Sequence, residues 1–174
     1  MKKIAFVAVC TLLAGPALAQ SVGEKTGINS VLGISPTTPD FVKQAAISDL
    51  FEIESSKLAV QKAEGPVKDF ASQMVTDHTK TSTELKSAVA NDPKTTIPAA
   101  MDEAHQERIT KLSGLNGAEF TEEYVDMQVD AHQNAVSLFE RYAKGGDSES
   151  LKSWAGKTLP SLQHHLEMVK ALDK

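Results

Sequence analysis

Residues 65–78, GPVKDFASQMVTDH, carry a helix stop, a helix start and a histidine on an apolar face within fourteen positions. Gly65 ends whatever precedes it, and Pro66 is suited to the first position of the next helix, where its missing N–H is not needed. Almost no loop remains between the two, so the flanking helices must fold back as an antiparallel hairpin. Downstream, Val67, Phe70, Ala71, Met74, Val75, His78, Leu85, Ala88 and Val89 recur at helical spacing and define one buried stripe with His78 at its centre.

The same punctuation divides the rest of the chain. Thr38-Pro39-Asp40 reads as a capping hydroxyl, a proline and a first-turn acid. It starts a first long helix over about 39–63, and the second runs to about residue 90, before Asn91-Asp92-Pro93. A short helix is expected over about 99–113 and a third long one over about 118–144, ended by Gly145-Gly146. The last follows a cap at Asp147 or Ser148 and runs to about Leu172. No alternating strand pattern competes with these helices.

A helix of about 25 residues spans roughly 37 Å. The short helix and its flanking loops can return the chain most of that distance, so the second and third long helices can run parallel. The expected fold is therefore all-α: a ferritin-like four-helix bundle with an additional short crossover helix. A five-helix up-down bundle is the alternative.

The chain opens with Lys2-Lys3, an apolar run from Ile4 to Leu13 and the small-x-small pattern Ala17-Leu18-Ala19. That is the pattern of an export signal cleaved near Ala19, and the run is shorter than the roughly 18 apolar residues of a membrane span. Residues 20–38, rich in Ser, Gly, Thr and Pro, read as a flexible leader, leaving 39–172 as the helical domain. The lone cysteine, Cys10, would leave with the signal, so the mature chain would hold no thiol. It would keep 16 basic against 23 acidic residues, a net charge of −7. With no basic tract, nucleic acid and anionic lipid are poor partners. A periplasmic or secreted location follows, with the protein partner unspecified.

The candidate site lies in the helix stripes. His78 sits in the second long helix, His132 on the flank of the third helix's stripe, and His165 in the stripe of the fourth. His105 shares a face of the short helix with Met101, Ile109 and Leu112, whereas His164 and Asp130 point away from the core. The first helix offers two carboxylates. Glu54 accompanies the bulky Ile47, Leu50, Phe51 and Leu58, and Glu52 accompanies the small Ala45, Ser56, Ala59 and Ala63. Periodicity alone leaves both as candidates for the core.

Several of these stretches resemble one family. They are Phe41-Val42-Lys43, Glu52-Ile53-Glu54 and Lys57-Leu58-Ala59 in the first helix, the run from Phe70 to Lys80, Phe139-Glu140 after His132, and the run from Thr158 to Leu166. Together, over about 39–172, the chain resembles the bacterial domain-of-unknown-function family 4142. The resemblance implies an exported, ferritin-like helical bundle and no particular activity. Positions matching its motifs include Glu52, Asp77, His78, His132 and His165, while Ser56 stands where a glycine is expected.

Three functions fit these residues. In the first, the protein is non-catalytic and each histidine bonds to Asp77, a glutamate or Tyr124 to fix helix packing. In the second, His78, His132, His165 and Glu52 or Glu54 hold a transition metal such as zinc, iron, copper or manganese. The Glu-x-x-His pairs of ferritin-like di-metal sites are missing. In the third, the chain is an envelope stress or protein-interaction module. Enzymatic chemistry has little support, because there is no Gly-rich phosphate loop, no Gly-x-Ser-x-Gly elbow and no thiol nucleophile in the mature chain.

Overall fold

A computed structural model of the chain describes residues 22–90 and 95–173, and the expected signal segment lies outside them. Seven helices and no strand occur among the described residues: α1 (Val22–Lys25), α2 (Ile28–Val31), α3 (Thr38–Lys62), α4 (Gly65–Val89), α5 (Glu103–Gly114), α6 (Gly117–Gly145) and α7 (Glu149–Leu172). None is long and apolar enough to cross a membrane.

The expected hairpin forms where Gly65, at φ +55°, turns the chain between α3 and α4. That conformation costs a side-chain-bearing residue far more than glycine. The α3 cap differs by one residue from the expectation. Thr37 accepts the Asp40 amide at 3.3 Å, which frees the Thr38 hydroxyl to bond with Tyr142 and Asp147 at the far end of α6. The short helix begins at Glu103, four residues later than expected, because Asp102 caps it through the His105 amide.

Contacts between helix ends give the topology. The start of α3 meets the end of α6 through Thr38, and Lys62 at the end of α3 donates to Ser113 and Leu115 O, just before α6 begins. Trp154, early in α7, donates to Glu84, late in α4. Thus α3 opposes α6 and α4 opposes α7, while the diagonal pair α4 and α6 run parallel. The crossover carries α5 along the outside of α3, where the His105 ring meets Phe51 edge-on at 5.3 Å. This is the expected four-helix bundle with one long crossover, not the five-helix alternative.

The core is split along the bundle axis. One apolar cluster contains Phe41, Leu85, Phe139, Tyr142, Leu151 and Leu162, with Phe41 stacked on Tyr142 at 3.9 Å. The other contains Phe51, Phe70, Met74, Leu112, Phe120, Tyr124 and Val169. Large side chains buried this way each contribute about 1.5–3 kcal/mol. Between the clusters in chain position fall the buried Asp49 on α3, His78 on α4, His132 on α6 and His165 on α7, with buried Glu52 and Gln128 one turn away from Asp49 and His132.

Where composition predicts a flexible leader, residues 22–37 form two single-turn helices held against the bundle. Buried Glu24 accepts from Arg141 Nη1 at 2.8 Å and from Gln44 at 3.2 Å, and Arg141 also donates to Ile34 O at 2.6 Å. The segment docks mainly by polar contacts, to which Ser30 adds a bond to Ser137 at 3.0 Å, while Val22, Val31 and Leu32 stay exposed. Arg141→Ala is expected to cost about 1–3 kcal/mol and to speed protease cleavage within residues 26–37 at least about tenfold. Limited proteolysis with mass analysis measures this, and unchanged cleavage would contradict the docking role of Arg141.

Candidate metal centre

Along α3 the positions 45, 49, 52, 56, 59 and 63 are spaced by three or four residues, and all are buried: Ala45, Asp49, Glu52, Ser56, Ala59 and Ala63. The small-residue face is therefore the inward one, because small side chains let α3 approach its neighbours and leave room for carboxylates. Glu52 is fully buried on this face. Glu54 corrects the expectation: it is half-exposed, pairs with Lys57 at 2.7 Å and is not brought to the histidines. Ser56, where the resemblance implies a glycine, bonds to Tyr124 at 2.9 Å.

His78, His132 and His165 meet in the polar layer. Their ring centroids form a nearly equilateral triangle, at 5.7, 5.5 and 5.5 Å. Each ring uses one nitrogen to fix its orientation. His78 Nδ1 lies 2.8 Å from Asp49 Oδ1 and 2.7 Å from Glu52 Oε2. Its single N–H serves Asp49, so Glu52 Oε2 is left with an ion-pair contact and no hydrogen bond. His132 Nδ1 donates to the Gln128 carbonyl at 2.8 Å, and its distance to Glu52 Oε1 is 4.0 Å. His165 Nε2 meets Asp77 Oδ2 at 2.9 Å.

The other nitrogen of each ring has no partner. His78 Nε2, His132 Nε2 and His165 Nδ1 are all buried without a hydrogen bond. The three residues offer ring nitrogens that lie within 4.8 Å of one another. Bonds of about 2.0–2.1 Å to a shared ion would set such nitrogens roughly 3.4 Å apart, so shifts on the order of 1 Å would close the triangle. One free nitrogen, with the opposite one held by a carboxylate or carbonyl, is the arrangement that orients metal-binding imidazoles.

Charge is distributed unevenly in this layer. Burial opposes ionisation of Glu52, but the facing His78, His132 and His165 outweigh it and hold its pKa at about 2. Burial likewise opposes a charged His78, yet Glu52 and Asp49 raise it to about 10. Burial and the nearby His78 charge lower His165 to about 4, and the same causes lower His132. Asp49 is raised by burial against the pull of His78. His132 and His165 are thus held neutral, the form in which imidazole binds metals.

A cavity of about 430 Å³ between α4 and α7 reaches His78 and His165, with Asp77, Thr81, Lys157 and Ser161 on its walls. It provides a route from solvent toward the triangle. The remaining sequence candidates lie apart from it. His105 is bonded to Asp102 at 2.6 Å beside Phe51, His164 is exposed, and Asp130 is exposed near Arg108. Tyr124 bonds to Ser56 and to none of the histidines. Asp49 escapes a reading that treats acids as surface charge, although it extends the Ala45–Glu52–Ser56 stripe at helical spacing.

These features define a four-helix bundle with a histidine–carboxylate layer across its core. The family described as Domain of unknown function (DUF4142) matches residues 24–172, and the chain belongs to that family. Among solved structures, the fold is similar to CopM in the Cu(II)-bound form, with a TM-score of 0.68 at 19% identity over 80% of this chain and 97% of that one. It is also similar to CopM in the Cu(I)-bound form, with a TM-score of 0.65 at 20% identity over 78% and 94%. A comparison with curated proteins gave no significant match.

Proposed function

We propose that this chain is an exported, non-catalytic protein that holds one transition-metal ion at His78, His132 and His165. The observation that carries the proposal is a triangle of three buried histidines that offer ring nitrogens within 4.8 Å of one another, each ring with one nitrogen unpartnered. Packing explains only half of the arrangement. The bonds from His78 to Asp49 and from His165 to Asp77 do tie α4 to α3 and to α7, and they fix helix register. Register alone gives no reason to bury three free nitrogens together, at about 1–3 kcal/mol for each unsatisfied group.

Copper is the ion proposed first. Imidazole donors suit zinc, iron and copper, and divalent affinities rise toward copper across the series. The similar bundle of CopM is known in Cu(II)- and Cu(I)-bound forms, which supports that order. Titration of metal-free protein with Cu(II) and with Zn(II) tests the site. We expect about one equivalent bound per chain, with nitrogen couplings in the Cu(II) electron paramagnetic resonance spectrum. Binding that persists undiminished after all three histidines are replaced would overturn the proposal.

The basic start, short apolar run and Ala17-Leu18-Ala19 support export. Protein recovered from the periplasm or medium is expected to begin at Gln20 by intact-mass analysis. A chain that retains residues 1–19 and stays in the cytoplasm would contradict it.

Metal-free protein should also show a defined pH response. His165 is depressed in the fold to about 4. Its contribution is fully present above the unfolded value near 6.5 and is lost as pH falls through about 4. Glu52, held near 2, adds a further loss below about 4.5. His78 has the opposite sign: raised to about 10, it stabilises below about 6.5 and that contribution is lost as pH rises toward 10. Denaturant unfolding should therefore show stability falling from pH 6.5 to 4 by up to about 1.4 kcal/mol per pH unit for each proton taken up. A flat profile over that range would show that His165 is not buried in its neutral form.

A further inference from the structure

We infer that the buried carboxylates of Glu52 and Asp49 make the three-histidine site select a divalent over a monovalent ion, an inference that rests on that site binding metal. Both acids stand behind His78, on its Nδ1 side, and not among the free nitrogens. Their other contacts are donors. Thr81 Oγ1 donates to Asp49 Oδ1 at 2.9 Å, Ser82 Oγ donates to Oδ2 at 3.2 Å, and Ser48 Oγ donates to Glu52 Oε1 at 3.4 Å. Three of the four carboxylate oxygens receive hydrogen bonds and the fourth, Glu52 Oε2, lies 2.7 Å from His78 Nδ1, surroundings that suit the carboxylate form.

The ion pairs of these two acids are with His78 and His132. A histidine that gives one nitrogen to a metal and keeps its proton on the other is neutral. Once the three rings are ligands, the buried part of the layer holds the two negative charges of Glu52 and Asp49 and no protein cation from those pairs, while Asp77, bonded to His165, is partly exposed and screened by solvent. A dication brings the total to zero. A monocation leaves one negative charge uncompensated in a water-poor core, which is strongly unfavourable. The three imidazoles alone would accept either ion, so the discrimination comes from the acids behind them. In this role Glu52 and Asp49 act through His78, whose Nδ1 both contact, as positioning and charge-setting residues.

The test uses copper in both oxidation states. Wild-type chain and the variants Glu52→Gln, Asp49→Asn and Glu52→Asp are titrated with Cu(II) and, anaerobically, with Cu(I), each against a competing chelator of known affinity. Glu52→Gln and Asp49→Asn are expected to lose at least about tenfold more affinity for Cu(II) than for Cu(I). That raises the midpoint potential of bound copper by about 59 mV for each tenfold change in the ratio. Glu52→Asp keeps the charge and should keep the wild-type ratio even if both affinities fall. If Glu52→Gln does not fold, Asp49→Asn and Glu52→Asp decide the matter. Equal losses for the two ions overturn the inference and leave the three-histidine site standing. Wild-type protein that binds neither ion overturns both together.

Discussion

Replacing His132 with leucine is expected to abolish the metal-dependent rise in melting temperature while leaving the metal-free protein at least as stable as wild type. His132 is fully buried, and its Nε2 has no partner. A leucine of comparable size removes that unsatisfied nitrogen in a layer already bordered by Phe70, whose ring lies 6.4 Å away. The bond from Nδ1 to Gln128 O is also dispensable, because that carbonyl lies within α6 and has the helix's own amide as partner. Metal linkage acts in the other direction. At a free ion concentration about 1,000 times Kd, binding stabilises by about 4 kcal/mol. For a chain of this size that is roughly 8–16 °C in Tm. Calorimetry of wild type and variant, with and without metal, measures both halves. A metal-dependent shift that survives in His132→Leu would remove His132 from the site.

The second large effect concerns Glu52. Glu52→Ala is expected to destabilise metal-free protein by about 3–5 kcal/mol, because it strips a buried charge partner from His78. That is a large share of the 5–15 kcal/mol typical of a folded domain. The imidazole of His78, now raised to about 10 chiefly by Glu52 and Asp49, should titrate much lower in the variant, which NMR of the ring can follow. Glu54→Ala, two residues away, should change stability by less than about 0.5 kcal/mol, because its partner Lys57 is also half-exposed. Equal costs at the two positions would contradict the inward placement of Glu52.

That contrast shows what could be read from the sequence and what could not. Helix order follows from local chemistry, such as Gly65-Pro66 and Gly145-Gly146, and the histidine faces follow from a 3.6-residue period. The choice between Glu52 and Glu54 depends on whether the bulky or the small face of α3 packs inward, which is a property of its neighbours. Asp49 was visible only as a continuation of the small-residue stripe. The Asp77–His165 pair joins positions 88 residues apart, and Glu24–Arg141 joins positions 117 apart. A leader read as flexible from its Ser, Gly and Pro content is held by distant partners, Arg141 and Gln44 on Glu24 and Ser137 on Ser30, which composition does not reveal. The common level of the three histidines likewise depends on how far each helix slides along the bundle.

Elemental analysis of untagged protein isolated from its native compartment, paired with melting curves before and after chelation, tests the central claim most directly. The account predicts about one equivalent of a single transition metal per chain and a Tm that falls by several degrees on chelation and recovers when the ion is restored. Substoichiometric mixed metals with an unchanged melt would contradict it, and the three histidines would then serve helix packing alone.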